Sequence, residues 1–396
     1  MKQYNVLAPG PVNLHPKVRE ALALPMIHHR TPEFDAILAN VLKRLKALFQ
    51  TQENCFILSA TGSGGMEALF VNALSTKDKV LIVNSGKFGE RWVEMAQVFC
   101  IPYQELKLPW GEPFQAKTIL DILAKDPSIT AVATQATETS TGTAHPVKEL
   151  GLELKKRSDI IFLVDGITAL GAYDLPMDEW GIDALVGGSQ KAFMLPAGLT
   201  LMSFSQKAWK RVETSDLPKF YFDLRREYKA NQKGETFFSS NVTLTRALAV
   251  SLDLIFENGL QAHFSEIVKR AQLTRHCCEE LGLRLYSSRP SNSLTAVRTP
   301  EGMDSQKLRG HLEKNYSITL MGGQDEARGK ILRIGHMGFI EPHQHFNLLM
   351  ALYDSLKELA PEHSLPMKSY FFEKVRSEIL NLWPSLDKNS SQESQQ

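Results

Sequence analysis

The chain has little cysteine: four residues in 396, at positions 55, 100, 277 and 278. None forms a CxxC pair or a zinc-like spacing. Neither a disulfide framework nor a metal site is therefore expected, and the thiols read as reduced ones in a reducing compartment. Cys277 and Cys278 fall on a predicted helix and read as packing residues. An excess of charge is also missing. The net charge is +1 with no basic block, so electrostatics gives no reason to expect nucleic acid or an anionic membrane as partner. No apolar run approaches a membrane span, and Met1-Lys2-Gln3-Tyr4-Asn5 leads into no signal-type stretch. The cytoplasm is the expected location. The remainder, 43% hydrophobic and 22% charged, has the composition of a globular protein. The length exceeds one simple core and predicts two domains.

Two nucleotide fingerprints are absent as well. Phe56-Ile57-Leu58 reads as a strand that enters Ser59-Ala60-Thr61-Gly62-Ser63-Gly64-Gly65 and then a helix through Leu74. Strand, small-residue turn and helix can cradle a phosphate with backbone amides and hydroxyls. The stretch lacks the Gly-Lys-Ser/Thr ending of a P-loop and a full GxGxxG. A Gly-rich turn with no ligand fits it equally well.

Alternation of strands and helices runs from 55 to 205 and predicts a mostly parallel sheet with helices on both faces. Ahead of it, Val6 to Val12 is an apolar stretch broken by Pro9-Gly10-Pro11, and a helix is predicted over Pro16–Leu22. Thr31 is a candidate N-cap with Pro32 at the first helical position, and the helix should reach about Phe49. Lys79–Val83 is the next strand, with Phe88 just past its end. Ala131–Thr134 leads into the hydroxyl-rich Glu138-Thr139-Ser140-Thr141-Gly142-Thr143. Ile160–Asp165 is a buried strand ending in a carboxylate, and a short apolar run precedes Gly188-Ser189-Gln190-Lys191. Each polar signature lies at a strand exit, where such sheets bind ligands. Residues 213–235, with Arg225, Arg226, Lys229 and Lys233, read as a mobile surface loop. Later come helices over about 264–281 and 305–315, strands near 294–297, 318–320 and 330–335, and a helix over Pro342–Leu359. The expected division is an N-terminal segment 1–15, a large domain 16–260, a smaller α+β domain 261–380 and a disordered tail 381–396.

A strand ending in Asp165, followed by a short strand running into Ser-Gln-Lys191, resembles pyridoxal phosphate enzymes of the aminotransferase fold. With Pro9-Gly10-Pro11, Thr61-Gly62-Ser63, Ser140-Thr141-Gly142 and Leu332-Arg333-Ile334-Gly335 in the same order, the chain resembles the class V, fold type I aminotransferases. The likeness is to the alanine–glyoxylate and serine–pyruvate branch, which also holds proteins named as small subunits of soluble hydrogenase. It covers roughly residues 4–358.

The resemblance implies an α/β fold and transamination between a small amino acid, alanine or serine, and a 2-oxo acid such as glyoxylate or pyruvate. It implies pyridoxal 5'-phosphate bound covalently through a Schiff base to Lys191. Asp165 would pair with the ring nitrogen, Ile167 would lie beneath the ring and Phe88 would stack on it. Thr139 would approach the ring hydroxyl, and Thr61, Gly62, Ser63 and Gln190 would hold phosphate. Arg333, in a run suited to a buried strand, would bind the substrate carboxylate through its planar fork. A homodimer is implied, with Phe238 and Asn241 supplied to the neighbouring subunit's phosphate site; Phe238 lacks the hydroxyl usual there. Four alternatives stand beside this. One is an aspartate/glutamate-type enzyme, with Arg30 taking a second carboxylate. The others are a lyase or desulfurase, for which Cys277 and Cys278 are badly placed, a non-catalytic hydrogenase-associated subunit, and a nicotinamide dehydrogenase, for which the fingerprint is lacking.

Overall fold

Both faces of the central sheet are buried except along the edge strand Tyr103–Lys107, which is why its inner strands read as largely apolar runs. Leu81, Val83, Val132, Phe162, Val164 and Leu185 pack on one face. Their neighbours Val80, Ile82, Ala131, Ile161, Leu163 and Val186 pack on the other, following the two-residue period of a strand. The computed structural model describes residues 4–383. Its large sheet has seven strands in the order Cys55–Leu58, Thr200–Phe204, Ala184–Gly188, Ile161–Asp165, Ala131–Gln135, Val80–Asn84, Tyr103–Lys107. Only Thr200–Phe204 runs antiparallel to its neighbours; the other pairings are parallel. The exits of Leu58, Asn84, Gln135, Asp165 and Gly188 therefore share one edge of the sheet.

A second, three-stranded antiparallel sheet places Ile331–Gly335 between Leu294–Arg298 and Met321–Gly322. Asn5–Val6 pairs in parallel with Ile318–Thr319, and Gly335 N–H donates to Leu7 O at 2.7 Å. The N-terminal segment is thus stitched to the second sheet before it crosses to the first.

Local signals account for the helices nearest the site. Thr31 caps Pro32–Phe49, its side chain accepting from Phe34 N–H, and Phe34, Leu38, Val41, Leu45 and Leu48 are its buried face. Residues 213–235 are not the mobile loop expected. Asp223 caps a helix over Leu224–Asn231, with Leu224 and Glu227 buried. Arg225 and Arg226 turn back onto Asp223, and the Tyr228 ring lies 5.0 Å from that of Trp209. Leu283–Tyr286 makes only an isolated bridge, Leu285 to Val297. A further helix, Lys368–Leu382, packs Phe371, Val375 and Ile379 onto the second unit. Of the tail expected from 381, residues 384–396 lie outside the described residues. Among the described residues no helix is long and apolar enough to cross a membrane.

Candidate active site

Lys191 leaves the large sheet three residues past Gly188. Ser189 closes the turn that carries it: its N–H donates to Leu199 O, and its hydroxyl accepts from Leu199 N–H at 3.1 Å and donates to Pro196 O at 2.7 Å. The lysine is 8% exposed. Burial pulls its amine down to about 8, and the Arg333 guanidinium adds to the effect. An amine in that range has a sizeable neutral, nucleophilic fraction near neutral pH.

Asp165 ends the adjacent strand. Burial pushes its carboxyl up to about 7 against the pull of the Ile167 N–H, while Glu138 raises it further and Arg91 and Lys191 oppose. Oδ1 accepts from Ile167 N–H at 2.8 Å. No hydrogen bond from the described residues reaches Oδ2, so the carboxylate keeps one oxygen for a cationic partner. Ile167 links three elements. A Cβ added at Gly62 would fall 2.7 Å from its Cδ1, and one at Gly188 would fall 3.2 Å from its Cγ2. These glycines let the helix Gly62–Ala73 and the strand exit close on the residue after Asp165.

That helix begins at Thr61, whose side chain makes no capping bond, so its first N–H groups stay available to an anion. Ser63 Oγ accepts from Arg91 at 2.8 Å, and the Arg91 guanidinium lies 4.5 Å over the Phe88 ring. Gln190 Oε1 is buried without a partner. Thr139 donates its hydroxyl to Thr168 Oγ1 at 2.7 Å, and its carbonyl accepts from Arg333 Nη1 at 2.9 Å.

Arg333 reaches toward this edge from the second sheet. It is 6% exposed, and its bonded partners are the carbonyls of Gly322 and Thr139 rather than carboxylates. Burial lowers its pKa to about 10, with Glu138 opposing, so it stays charged. It lines a cleft of about 390 Å³ with Lys87, Arg309, Asp325 and Arg328. A structural ion pair does not account for it.

Two expected residues stand apart within one chain. Phe238 stacks on Tyr221, 5.0 Å between centroids. Asn241 caps Val242–Phe256 and donates its N–H to Ser59 Oγ. None of these contacts is with Lys191 or Asp165. Arg30 is spent on Glu235 at 3.0 Å and on Phe237 O, so it offers no open fork. Cys277 and Cys278 are buried in the second core, where burial raises both thiols.

Sequence reasoning passed over three contributors. Pro9 accepts from Lys191 Nζ at 2.8 Å through a backbone atom that side-chain patterns do not reveal. Arg91 follows Phe88 by three residues, one helical turn, and that spacing could have flagged it. Glu138 is fully buried; a carboxylate within a hydroxyl-rich strand exit was the available signal.

The class-V aminotransferase family profile matches residues 17–338. The small subunit of soluble hydrogenase from Synechococcus sp. (strain PCC 6716) is 37% identical over 366 residues, covering 91% of this chain and 95% of that protein. L-aspartate–glyoxylate aminotransferase of Paracoccus denitrificans is 35% identical, covering 85% of this chain and 87% of that one. Among solved structures, alanine–glyoxylate aminotransferase from Nostoc sp. superposes with a TM-score of 0.86 at 29% identity, covering 90% of this chain and 96% of that one.

Proposed function

The chain belongs to the class-V aminotransferases, a pyridoxal phosphate-dependent enzyme family, and from that premise we propose that it moves the amino group of a small amino acid, alanine or serine, to glyoxylate or pyruvate. The observation that carries the reading is the convergence, on one sheet edge, of a buried amine, a buried carboxylate and an arginine arriving from the second sheet. The glyoxylate enzymes among its relatives support the acceptor.

The residues present fit the cofactor. Asp165 keeps one oxygen for the protonated ring nitrogen, and the Gln190 side-chain amide, whose oxygen has no partner, is free to turn its NH2 toward the phosphate. The uncapped helix start at Thr61, Gly62 and Ser63, with Arg91 beside it, suits the phosphate. Bound there, pyridoxal phosphate supplies an aldehyde that links to amines and a ring that accepts the electron pair left at the substrate α-carbon. Lys191 Nζ carries the α-proton to and from that carbon. Ile167 and Phe88 would hold the ring between them. Thr139, whose hydroxyl proton goes to Thr168, would accept from the ring hydroxyl. Arg333 holds the carboxylate that donor and acceptor share. A second copy of the chain completes the phosphate site with Phe238 and Asn241; the exposed Phe220 and Phe237 beside Phe238 suit a subunit contact.

The experiment is a half-reaction screen of amino acids against the cofactor-loaded protein, following its visible absorbance, with Lys191→Ala as control. Alanine or serine should convert the spectrum fastest, and Lys191→Ala should not turn over. Conversion by aspartate or glutamate alone overturns the donor assignment. Full activity in Lys191→Ala overturns the site.

A further inference from the structure

Glu138 spends a buried charge on one helix end. Its carboxylate accepts from Phe88 N–H at 3.2 Å, Gly89 N–H at 3.0 Å, Ser140 N–H at 3.1 Å and the Ser140 hydroxyl at 2.5 Å. Ser140 Oγ in turn accepts from Lys87 N–H at 3.1 Å. The first three amides of the helix Lys87–Val98 therefore all end on this pair, and its N-cap residue, Gly86, has no side chain to satisfy them. Gly86 also makes the approach feasible: a Cβ there would stand 2.4 Å from Ser140 Oγ and 2.8 Å from Glu138 Cδ. Burial raises the Glu138 carboxyl, and the Ser140, Gly89 and Phe88 hydrogen bonds pull it back. An anion at a helix N-terminus is favoured, but a serine or aspartate N-cap would satisfy the same amides without burying a carboxylate. The difference is direction. The clamp fixes the start of this helix to the strand exit that carries Thr139, whose carbonyl holds Arg333.

We propose that Glu138 is a positioning residue that sets the Phe88 ring against the cofactor through the Phe88 and Gly89 amides. This rests on the cofactor site proposed above. Glu138 touches neither substrate nor ring; it acts through Phe88.

Two measurements test it. Amide hydrogen exchange compares cofactor-free wild type with Glu138→Gln. Dissociation constants for pyridoxal 5'-phosphate are measured for wild type, Glu138→Gln, Phe88→Leu and the double variant. Exchange over residues 87–90 and at Ser140 should speed up, by about tenfold or more over 87–90, the scale of a lost charge-assisted hydrogen bond, with protection outside these residues unchanged. Each single variant should raise Kd by about tenfold, and the double variant should raise it no further. A double variant in which the two effects multiply overturns the proposal, as does unchanged exchange over 87–90. If Glu138→Gln does not fold, Ser140→Ala removes the hydroxyl from the same clamp and enters the same cycle. A wild type that binds no pyridoxal phosphate defeats the site reading and this inference together. Cofactor bound with multiplying effects defeats this inference alone.

Discussion

Lys191 Nζ donates to the carbonyl oxygen of Pro9 at 2.8 Å, which ties the amine of the large sheet to a segment paired with the second one. Gly10 follows at φ +121, and a Cβ there would stand 2.5 Å from Lys191 Nζ and Cδ. Gly10→Ala should therefore displace the lysine, lowering cofactor occupancy and kcat by about tenfold or more. The control is Gly302→Ala, at φ +79 with nothing within 4 Å of the added carbon. It imposes a positive-φ strain of its own, about 1 kcal/mol, without the clash, and occupancy should hold. Equal loss in the two variants would show that backbone strain, not contact with Lys191, is responsible.

Asp165 gives a pH dependence with a defined sign. Its carboxyl titrates near 7 when folded without cofactor, against an ordinary value of 3.8. Between those values the folded protein binds more protons than the unfolded chain, so stability falls as pH rises. Below about 4 both states are protonated and nothing is lost; above about 7 the loss is complete. Cofactor-free Asp165→Asn should thus match wild type in acid and exceed it at pH 8 by up to a few kcal/mol, an order-of-magnitude bound. Urea unfolding at the two pH values checks this. A wild type that gains on the variant as pH rises would mean that the carboxylate already has a cationic partner. Saturating cofactor should erase the difference or reverse it, because a protonated ring nitrogen favours the ionised carboxylate.

Much of this architecture is legible in local sequence, and the gaps have physical causes. Thr31-Pro32 marks a helix start because capping is a short-range event. Asp165 and Lys191 stand out because strands buried on both faces make a polar residue at their exits conspicuous. The strand Tyr103–Lys107 does not: it is an edge strand, partly exposed along its length, and has no apolar run. The helix Leu224–Asn231 buries only Leu224 and Glu227, so its sequence looks like solvated loop. Arg91 reads as an ordinary surface charge and Glu138 only as one member of a polar strand exit, since only the tertiary fold sets one over Phe88 and buries the other.

The aromatic surface around Phe238 predicts the assembly. Phe220 is 68% exposed, lies 5.7 Å from Phe238 and sits beneath Arg226. In the dimer proposed above, Phe220→Asp should shift the protein toward monomer in sedimentation and loosen the cofactor, because each copy would lose the Phe238 and Asn241 of the other. The visible spectrum and the sedimentation coefficient should change together across a dilution series. A Phe220→Asp protein that stays dimeric places the subunit contact on another face.

Arg333 is the strongest test of substrate binding. Its Nε and Nη1 are committed to Gly322 O and Thr139 O, both at 2.9 Å, which fixes the plane of the fork. Nη2 donates no hydrogen bond to the described residues, and together with the second hydrogen of Nη1 it can meet a carboxylate through two parallel bonds. Lysine keeps the charge but offers a point donor, so Arg333→Lys loses both the bidentate geometry and one of the two carbonyl anchors. The KM for amino acid and for 2-oxo acid should rise together by about ten- to a hundredfold, the scale of a charge-assisted bond. A lost carbonyl contact costs about 1 kcal/mol, so Tm should fall by only a few degrees. The bound-cofactor spectrum should stay as in wild type, since Lys191, Asp165 and the helix start at Thr61 are untouched. Steady-state kinetics with both substrates, alongside thermal melts, separates the outcomes. A variant that melts much earlier yet keeps its KM values would make Arg333 a strut between the two sheets. The carboxylate would then belong to another cation of the same cleft, with Arg309 and Arg328 the residues to substitute next.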